Sequence, residues 1–213
     1  MLAPLGRIGC FPPGYLKRYP AESVYVFRLH PEYTSNGEHY AHWVDDGVVL
    51  MDTPHHKTGP VLDQWPSDLE FTLVRDGNDC DVYMNPCGLF FTERAVWELD
   101  PICGENTEWL PIRLTDGSSL FLFHPVESVP LGANSRFRSH KPGDNIIEVY
   151  DYDFDTPEQL PSCFLISQPA TSPAGKGGFA FTGQYVTDQL RKAMGQFRGV
   201  EFAQVFPPNK NTG

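Results

Sequence analysis

The sequence predicts an α+β fold: loop-rich mixed sheets of short strands, with two main helices. Many short apolar runs are separated by turn residues, and the 213-residue chain holds 19 glycines and 20 prolines. Helical spacing of apolar residues is clear in two stretches. Each stretch lies between two apolar strands, which predicts two related strand–helix–strand units at about 88–112 and 178–206. The repeated unit is therefore expected to be the frame of the fold.

The composition supports a packed core, since 40% of the residues are hydrophobic and 15 are Phe. A chain of this length forms one large domain or two small ones. We expect residues 1–60 to provide an N-terminal arm and strands packed on the body. Residues 61–206 would form the main α+β domain, and residues 207–213 a frayed tail.

The formal net charge of −11 argues against nucleic acid as a partner, because phosphate backbones are bound by Lys and Arg. An acidic surface instead favours solubility and speeds encounter with a basic partner. The five scattered cysteines include no C-x-x-C pair, which indicates small buried thiols in a reducing compartment. No signal peptide and no apolar run long enough to span a bilayer is evident. We therefore expect a cytoplasmic protein.

The N-terminal third is predicted to contain three strands. Prolines punctuate residues 1–23, which indicates an irregular arm. Val24–Leu29 is rich in β-branched and aromatic residues, Gly47–Met51 is a short apolar run, and Leu69–Val74 alternates apolar and polar residues. These three runs are predicted strands.

The first unit begins with the apolar strand Gly88–Thr92. Thr92 lies where a helix N-cap is expected, since its hydroxyl can accept from the free N–H groups of the first turn. Pro101 disfavours helical geometry at Asp100, so the helix is predicted to end there. A strand over Trp109–Leu114 and a hairpin partner at 120–123 should follow. The apolar stripe of the helix is Ala95, Val96, Leu99, Ile102 and Cys103.

The middle of the chain holds one basic stretch and one acidic stretch. Val129–Gly143 carries Arg136 and Arg138 among glycines and prolines, which predicts a solvated loop. Residues 145–155 alternate in the pattern of a strand. One face would carry the aromatic residues Tyr150, Tyr152 and Phe154. The opposite face would carry Asp151, Asp153 and Asp155, our candidate docking surface for a basic partner.

The second unit is predicted to repeat the first. Gly178–Thr182 would be its strand, with Thr182 as the helix N-cap and Phe181 equivalent to Phe91. Gly195 and Gly199 would stop the helix, and Val200–Phe206 would be the closing strand. The predicted apolar stripe is Val186, Leu190, Ala193, Met194 and Phe197.

Candidate catalytic and metal sites are weak. A cluster of four histidines beside acidic residues suits zinc or iron, but it lacks a helical ligand motif. The aspartate run at 151–155 resembles the start of a calcium loop, yet Thr156 and Ser162 occupy the glycine and glutamate positions. No nucleophile elbow, phosphate loop or kinase motif is present. We therefore expect no catalytic residue, no cofactor and no metal ion. The four histidines are His39, His42, His55 and His56.

Three segments resemble a family of bacterial immunity proteins of polymorphic toxin systems, first catalogued as a domain of unknown function. They are Trp65-Pro66, the run Gly88–Ala95 that ends in Thr-Glu-Arg-Ala, and Glu108-Trp109-Leu110-Pro111-Ile112. A second strand–helix–strand unit over Phe179–Phe206 is also similar. It departs from the pattern, with Gly183-Gln184 where Glu-Arg is expected. The resemblance covers about residues 60–206.

The resemblance implies a non-catalytic protein that binds and neutralises a cognate toxin. The acidic charge agrees, because toxins that attack nucleic acid are often basic. Two alternatives stay open. One is a small metal-dependent hydrolase that uses the histidine cluster, and the other is an accessory interaction module without a toxin partner.

Overall fold

The fold is α+β, as predicted, with two helices and several mixed sheets of short strands. It is known from a computed structural model. The structure describes residues 24–31, 40–43, 58–74, 80–85, 88–139, 146–167 and 179–207. The predicted arm over residues 1–23, the strand Gly47–Met51 and the tail from 208 onward lie outside these residues.

Thirteen strands are present in the described part of the chain. They are β1 Val26–Pro31, β2 Tyr40–Trp43, β3 Glu70–Val74, β4 Val82–Asn85, β5 Gly88–Thr92, β6 Thr107–Leu114, β7 Ser119–Pro125, β8 Ser128–Pro130, β9 Arg136–Ser139, β10 Ile146–Asp151, β11 Cys163–Ser167, β12 Phe179–Thr187 and β13 Val200–Phe206. The α-helices are α1 Glu93–Cys103 and α2 Asp188–Met194. Short 3-10 turns occur at Leu62–Gln64, Gly104–Asn106 and Pro157–Gln159.

The strands form a closed barrel, an open sheet and a separate hairpin. The barrel order is β2-β3-β6-β7-β5-β4, and the open sheet runs β13-β1-β12-β11-β8. The strands β9 and β10 form a two-stranded sheet of their own. Because β1 lies between β12 and β13, a boundary at residue 60 would divide one continuous sheet.

The first predicted unit is confirmed, with one correction. Thr92 is the N-cap of α1, and its Oγ1 accepts from the Ala95 N–H at 3.4 Å. The helix does not end at Asp100 but continues through Pro101 to Cys103. Pro101 lies in the last turn, where its missing N–H removes a single helical hydrogen bond, and Cys103 at the end of that turn is buried.

The second unit is also a strand–helix–strand, but the predicted alignment of its start is wrong. Strand β12 runs on to Thr187, so Thr187 and not Thr182 precedes the helix. Thr187 caps no helical N–H through its side chain; its Oγ1 donates to the Ser162 carbonyl at 3.4 Å. The stop at Gly195 and the strand Val200–Phe206 are confirmed.

The strand pairing gives the true register of the repeat. Phe90 holds the same position in its pairing with β7 as Tyr185 holds in its pairing with β1. In this alignment Phe91 corresponds to Val186, and Thr92 corresponds to Thr187. Thr187-Asp188-Gln189 is therefore the counterpart of Thr92-Glu93-Arg94: the acidic residue after the threonine recurs, and a glutamine takes the place of the arginine. The helices follow the same alignment, because Ala95 and Leu99 match Leu190 and Met194, all fully buried.

Each unit holds a middle strand between its two parallel strands. In the first unit β7 pairs antiparallel with both β5 and β6. In the second unit β1 pairs antiparallel with both β12 and β13. The two middle strands share a sequence pattern, Phe27-x-x-His30-Pro31 in β1 and Phe121-x-x-His124-Pro125 in β7. The start of the chain thus completes the second copy.

Three apolar cores hold these layers together. The central core lies between the two copies and includes Phe91 and Leu99 from the first, with Val186 and Leu190 from the second. The barrel interior is a second core, built around Phe71, Phe90 and Leu110. The third core covers the opposite face of the open sheet. Its main members are Val26, Phe154, Phe164, Ile166 and Tyr185.

The sheet of the first copy closes into a barrel, whereas the sheet of the second copy stays open. In the first, β3 pairs with β6 and β2 pairs with β4, which closes the barrel. In the second, the hairpin β9–β10 is not hydrogen-bonded to β13 within the described residues. Val149 of β10 packs instead against the third core, so the hairpin lies over the sheet and leaves it open.

Candidate functional site

The hairpin β9–β10 is the part of the second copy that departs most from the first. Its counterpart β2–β3 is also an antiparallel pair, but that pair is built into the barrel. A two-stranded ribbon with its own edges presents backbone and side chains to solvent. Where two copies share a frame, a structural difference of this kind marks a candidate site.

Two ion pairs bridge the two strands of the hairpin. Arg136 donates through Nε to the Asp151 carboxylate, and Arg138 Nη2 lies 3.2 Å from Glu148 Oε2. Both pairs join residues that face each other across the two strands. Arg136 and Arg138 were expected in a solvated loop, so that expectation is wrong: both lie in β9. The Pro and Gly residues on either side of this short strand led to the loop prediction.

The hairpin exposes two large aromatic side chains. Phe137 in β9 is 40% exposed and Tyr150 in β10 is 54% exposed. Exposed aromatic residues are enriched where proteins bind other proteins, because they bury much area at little entropic cost. The sequence predicted Tyr150 on an aromatic strand face. It did not single out Phe137, because a loop was predicted over that stretch.

The three predicted docking residues lie at the end of this hairpin and just beyond it. Asp151 is engaged by Arg136. The carboxylate of Asp153 accepts from the side-chain amide of Asn134 at 3.0 Å, and its backbone N–H donates to Ser135 Oγ at 2.9 Å. Asp155 is exposed. Strand β10 ends at Asp151, so the expected alternation over residues 145–155 stops there.

The loop around Asp153 packs closely enough to fix these carboxylates. A Cβ on Gly132 would lie 2.7 Å from Oδ2 of Asp153 and 3.0 Å from Oδ1 of Asp155. The Gly132 N–H donates to the Asp153 carbonyl at 2.8 Å. Asp153 therefore orders the turn before β9, while Asp155 remains available at the surface.

No protein-family model matches the chain, and no curated protein matches it.

The histidine cluster lies mostly outside the described residues. His39, His55 and His56 are not among them, and His42 is placed only through the backbone of β2. Within the described ranges, no group of three or more His, Cys, Asp or Glu side chains could hold a metal ion. None of the helices described there is long and apolar enough to cross a membrane.

Three of the five cysteines are described, and all three are buried free thiols, as expected. Cys163 is fully buried, and its Sγ lies 2.8 Å from Thr107 Oγ1. The hydrogen bond with Cys163 and burial both raise the pKa of the Cys103 thiol. Such a thiol stays protonated at neutral pH and is a poor nucleophile. The described thiols are Cys80, Cys103 and Cys163.

Proposed function

We propose that this chain is a non-catalytic binding protein of the immunity type, which neutralises a cognate bacterial toxin by direct contact. The observation that carries the proposal is the hairpin β9–β10, which forms a two-stranded sheet of its own and exposes Phe137 and Tyr150. A ribbon that presents aromatic side chains beside charged pairs has the composition of a protein-binding surface. The resemblance to immunity proteins supplies the kind of partner.

The charge of the chain supports a basic toxin. The formal net charge is −11, and Asp155 and Glu148 add exposed carboxylates at the hairpin. Complementary charge speeds encounter and favours the correct partner, whereas buried aromatic contacts supply most of the affinity. Asp151, Asp153 and Asp155 keep the role of partner-binding residues in this proposal, with Asp155 the most accessible.

The test is co-expression with the toxin-like product of a neighbouring gene, followed by measurement of binding. We expect protection from toxicity and a complex that purifies intact. The double variant Phe137→Ser with Tyr150→Ser should weaken binding at least roughly tenfold, since each central aromatic contact contributes more than about 1 kcal/mol.

The matched control is Trp97→Ser, which removes the most exposed large hydrophobic residue in the described chain from helix α1, at 66% exposure. That variant should bind as the wild type does. Absence of both a complex and protection would overturn the proposed function. Equal weakening by the control would show that the hairpin is not the binding surface.

A further inference from the structure

Both copies of the repeat carry a glutamate directly opposite a histidine on the middle strand. In the first copy Glu108 of β6 faces His124 of β7. In the second copy Glu201 of β13 faces His30 of β1. The equivalence is set by the strand pairing and by the shared Phe-x-x-His-Pro pattern of the two middle strands. The same cross-strand pair therefore occurs twice in one molecule.

In the first copy the pair holds a segment of the chain itself. One carboxylate oxygen of Glu108, Oε2, accepts from the backbone N–H groups of Val61 at 2.6 Å and Leu62 at 3.1 Å. Nε2 of the buried His124 lies 3.2 Å from the Gly59 carbonyl oxygen. The pair thus binds peptide backbone, with the carboxylate as acceptor for two consecutive N–H groups. We call residues 58–66 the strap.

The strap is bound along its length. Val61 is 2% exposed, within the barrel core, and Trp65 Nε1 donates to the Pro111 carbonyl at 2.7 Å. The strap lies between β2 and β3, which are separated by residues 44–69. In the second copy β9 ends at Ser139 and β10 begins at Ile146, so too few residues intervene to build an equivalent strap.

The second pair has no such occupant within the described part of the chain. Glu201 is exposed, His30 is half-buried, and no described residue forms a side-chain hydrogen bond with either. Its neighbours also differ. The Leu110–Leu122 pair beside Glu108 is replaced by Ala203 and Arg28. The smaller alanine leaves space, and the arginine adds a charge.

One nitrogen of Arg28 has no acceptor among the described residues. This nitrogen, Nε, is buried. The guanidinium lies against Gly183, where a Cβ would be 2.8 Å from that nitrogen. A buried N–H without a partner costs free energy, and an acceptor oxygen supplied by a ligand would remove this cost. The second pair therefore has a cationic side chain beside it where the first pair has a leucine, which favours an occupant more polar than the strap.

We infer that Glu201, His30 and Arg28 form a docking site for an extended segment of the partner protein. Two consecutive backbone N–H groups of that segment would donate to Glu201, as those of Val61 and Leu62 do to Glu108. A carboxylate side chain at the position of Val61 would accept from Arg28. This inference deepens the proposed function and rests on it for the identity of the partner, while the site itself is argued from the repeat.

A synthetic peptide tests the site without the toxin. The probe is an acetylated and amidated copy of residues 58–66 with Val61→Asp, titrated into the ¹⁵N-labelled full chain and followed by NMR. We expect saturable shifts at the amides of residues 28–30 and 201–203 at millimolar peptide, since a short flexible peptide loses entropy on binding. The unmodified copy should bind more weakly, because it brings no acceptor for Arg28.

Two variants separate the possible results. Glu201→Gln should weaken peptide binding roughly tenfold, the usual effect of removing a charged acceptor. Glu105→Gln, at another exposed glutamate, should leave it unchanged. Thermal unfolding of both variants checks that they fold. No shifts at residues 28–30 and 201–203, or equal shifts in Glu201→Gln, would overturn the inference.

The toxin complex gives an independent result. If the peptide fails to bind while the toxin complex forms and Glu201→Gln leaves it intact, this site is refuted and the proposed function stands. If the peptide binds at Glu201 but no toxin complex or protection is found, the site stands and the proposed function fails. Shifts confined to Glu108 and His124 would show exchange with the strap and would also refute the second site.

Discussion

Gly199 lies directly against Val82: a Cβ at Gly199 would be 2.2 Å from the Val82 carbonyl oxygen. The φ angle of Gly199 is +102°, a region that L side chains rarely adopt. Beside it, the Arg198 carbonyl accepts from the N–H groups of Asp81 at 3.1 Å and Val82 at 3.0 Å. This contact joins the loop after α2 to the start of β4, and so joins the two copies of the repeat.

Replacement of Gly199 should therefore be among the most destabilising changes in the chain. Gly199→Ala adds a clash with backbone atoms to the cost of the positive φ, and we expect a loss of roughly 2–5 kcal/mol in the free energy of unfolding. Gly104 is the matched control, because it has φ +57° but no atom within 4 Å of the added Cβ. Gly104→Ala should cost only about 1–2 kcal/mol. Chemical denaturation measures both, and equal losses would contradict the close approach.

Asp81 anchors the same contact from the other side. Its side chain is 12% exposed, and its carboxylate accepts from Arg94 Nη2 at 2.5 Å and from the Arg198 N–H at 3.2 Å. Asp81→Ala leaves the Arg198 N–H without its acceptor, so we expect a loss of about 1.5–3 kcal/mol in unfolding free energy.

Arg94→Ala provides the comparison for Asp81. The Arg94 side chain is 65% exposed, and an exposed partner contributes little to an ion pair. Its loss should therefore be smaller than that of Asp81→Ala in the same denaturation experiment. A larger effect of Arg94→Ala would show that the ion pair, and not the bond to the Arg198 backbone, stabilises the loop.

Glu108 of the first copy should contribute to the free energy of unfolding, whereas Glu201 of the second copy should not. Glu108→Ala leaves two backbone N–H groups of the strap without an acceptor, which should lower the unfolding free energy by about 1.5–3 kcal/mol. Hydrogen exchange of Val61 and Leu62 should speed up as the strap opens. Glu201→Ala, at the equivalent exposed position, should leave stability within about 0.5 kcal/mol of the wild type. A similar loss in both variants would argue that Glu201 already holds a segment of this chain.

The surroundings of His30 predict that the stability of the fold decreases as the pH falls. Burial, followed by the positive charge of Arg28, lowers the pKa of His30 below 6.5, while Glu201 acts in the opposite direction. The folded state therefore favours neutral His30. Its contribution to stability is complete above about pH 6.5, the pKa of an unperturbed histidine, and is lost as the pH falls from there through the lower folded-state pKa.

Removal of the Arg28 charge should raise the pKa of His30. Arg28→Leu places at this position the residue that its counterpart Leu122 has in the first copy. The pKa of His30, followed by NMR titration of the imidazole, should rise towards its ordinary value, and less stability should be lost at acidic pH. An unchanged or lower pKa would contradict the proximity of the Arg28 charge. Glu201→Gln should shift the same pKa downward, which supplies a control of opposite sign.

Local signals in the sequence determined most of the elements. The alternation at Leu69–Val74, the apolar hairpin partner at 120–123 and the capping residue Thr92 each depend on neighbours a few positions away, and each predicted the right element. Helix α2 was predicted from its apolar stripe even though its start was misplaced. Thr182 and Thr187 each follow apolar residues, and only the pairing of β12 with β1 extends the strand to Thr187.

The sequence by itself determined the α+β class, the two strand–helix–strand units and the lack of a recognisable catalytic motif, because these follow from residue type and spacing. Tertiary structure decided which strands pair, and with them the insertion of β1 between β12 and β13. It also decided that Glu108 is occupied by the strap while its counterpart Glu201 stays exposed. Hydrogen bonds between residues far apart in the chain fix these features, and no local pattern encodes the partner of a strand edge or of a carboxylate.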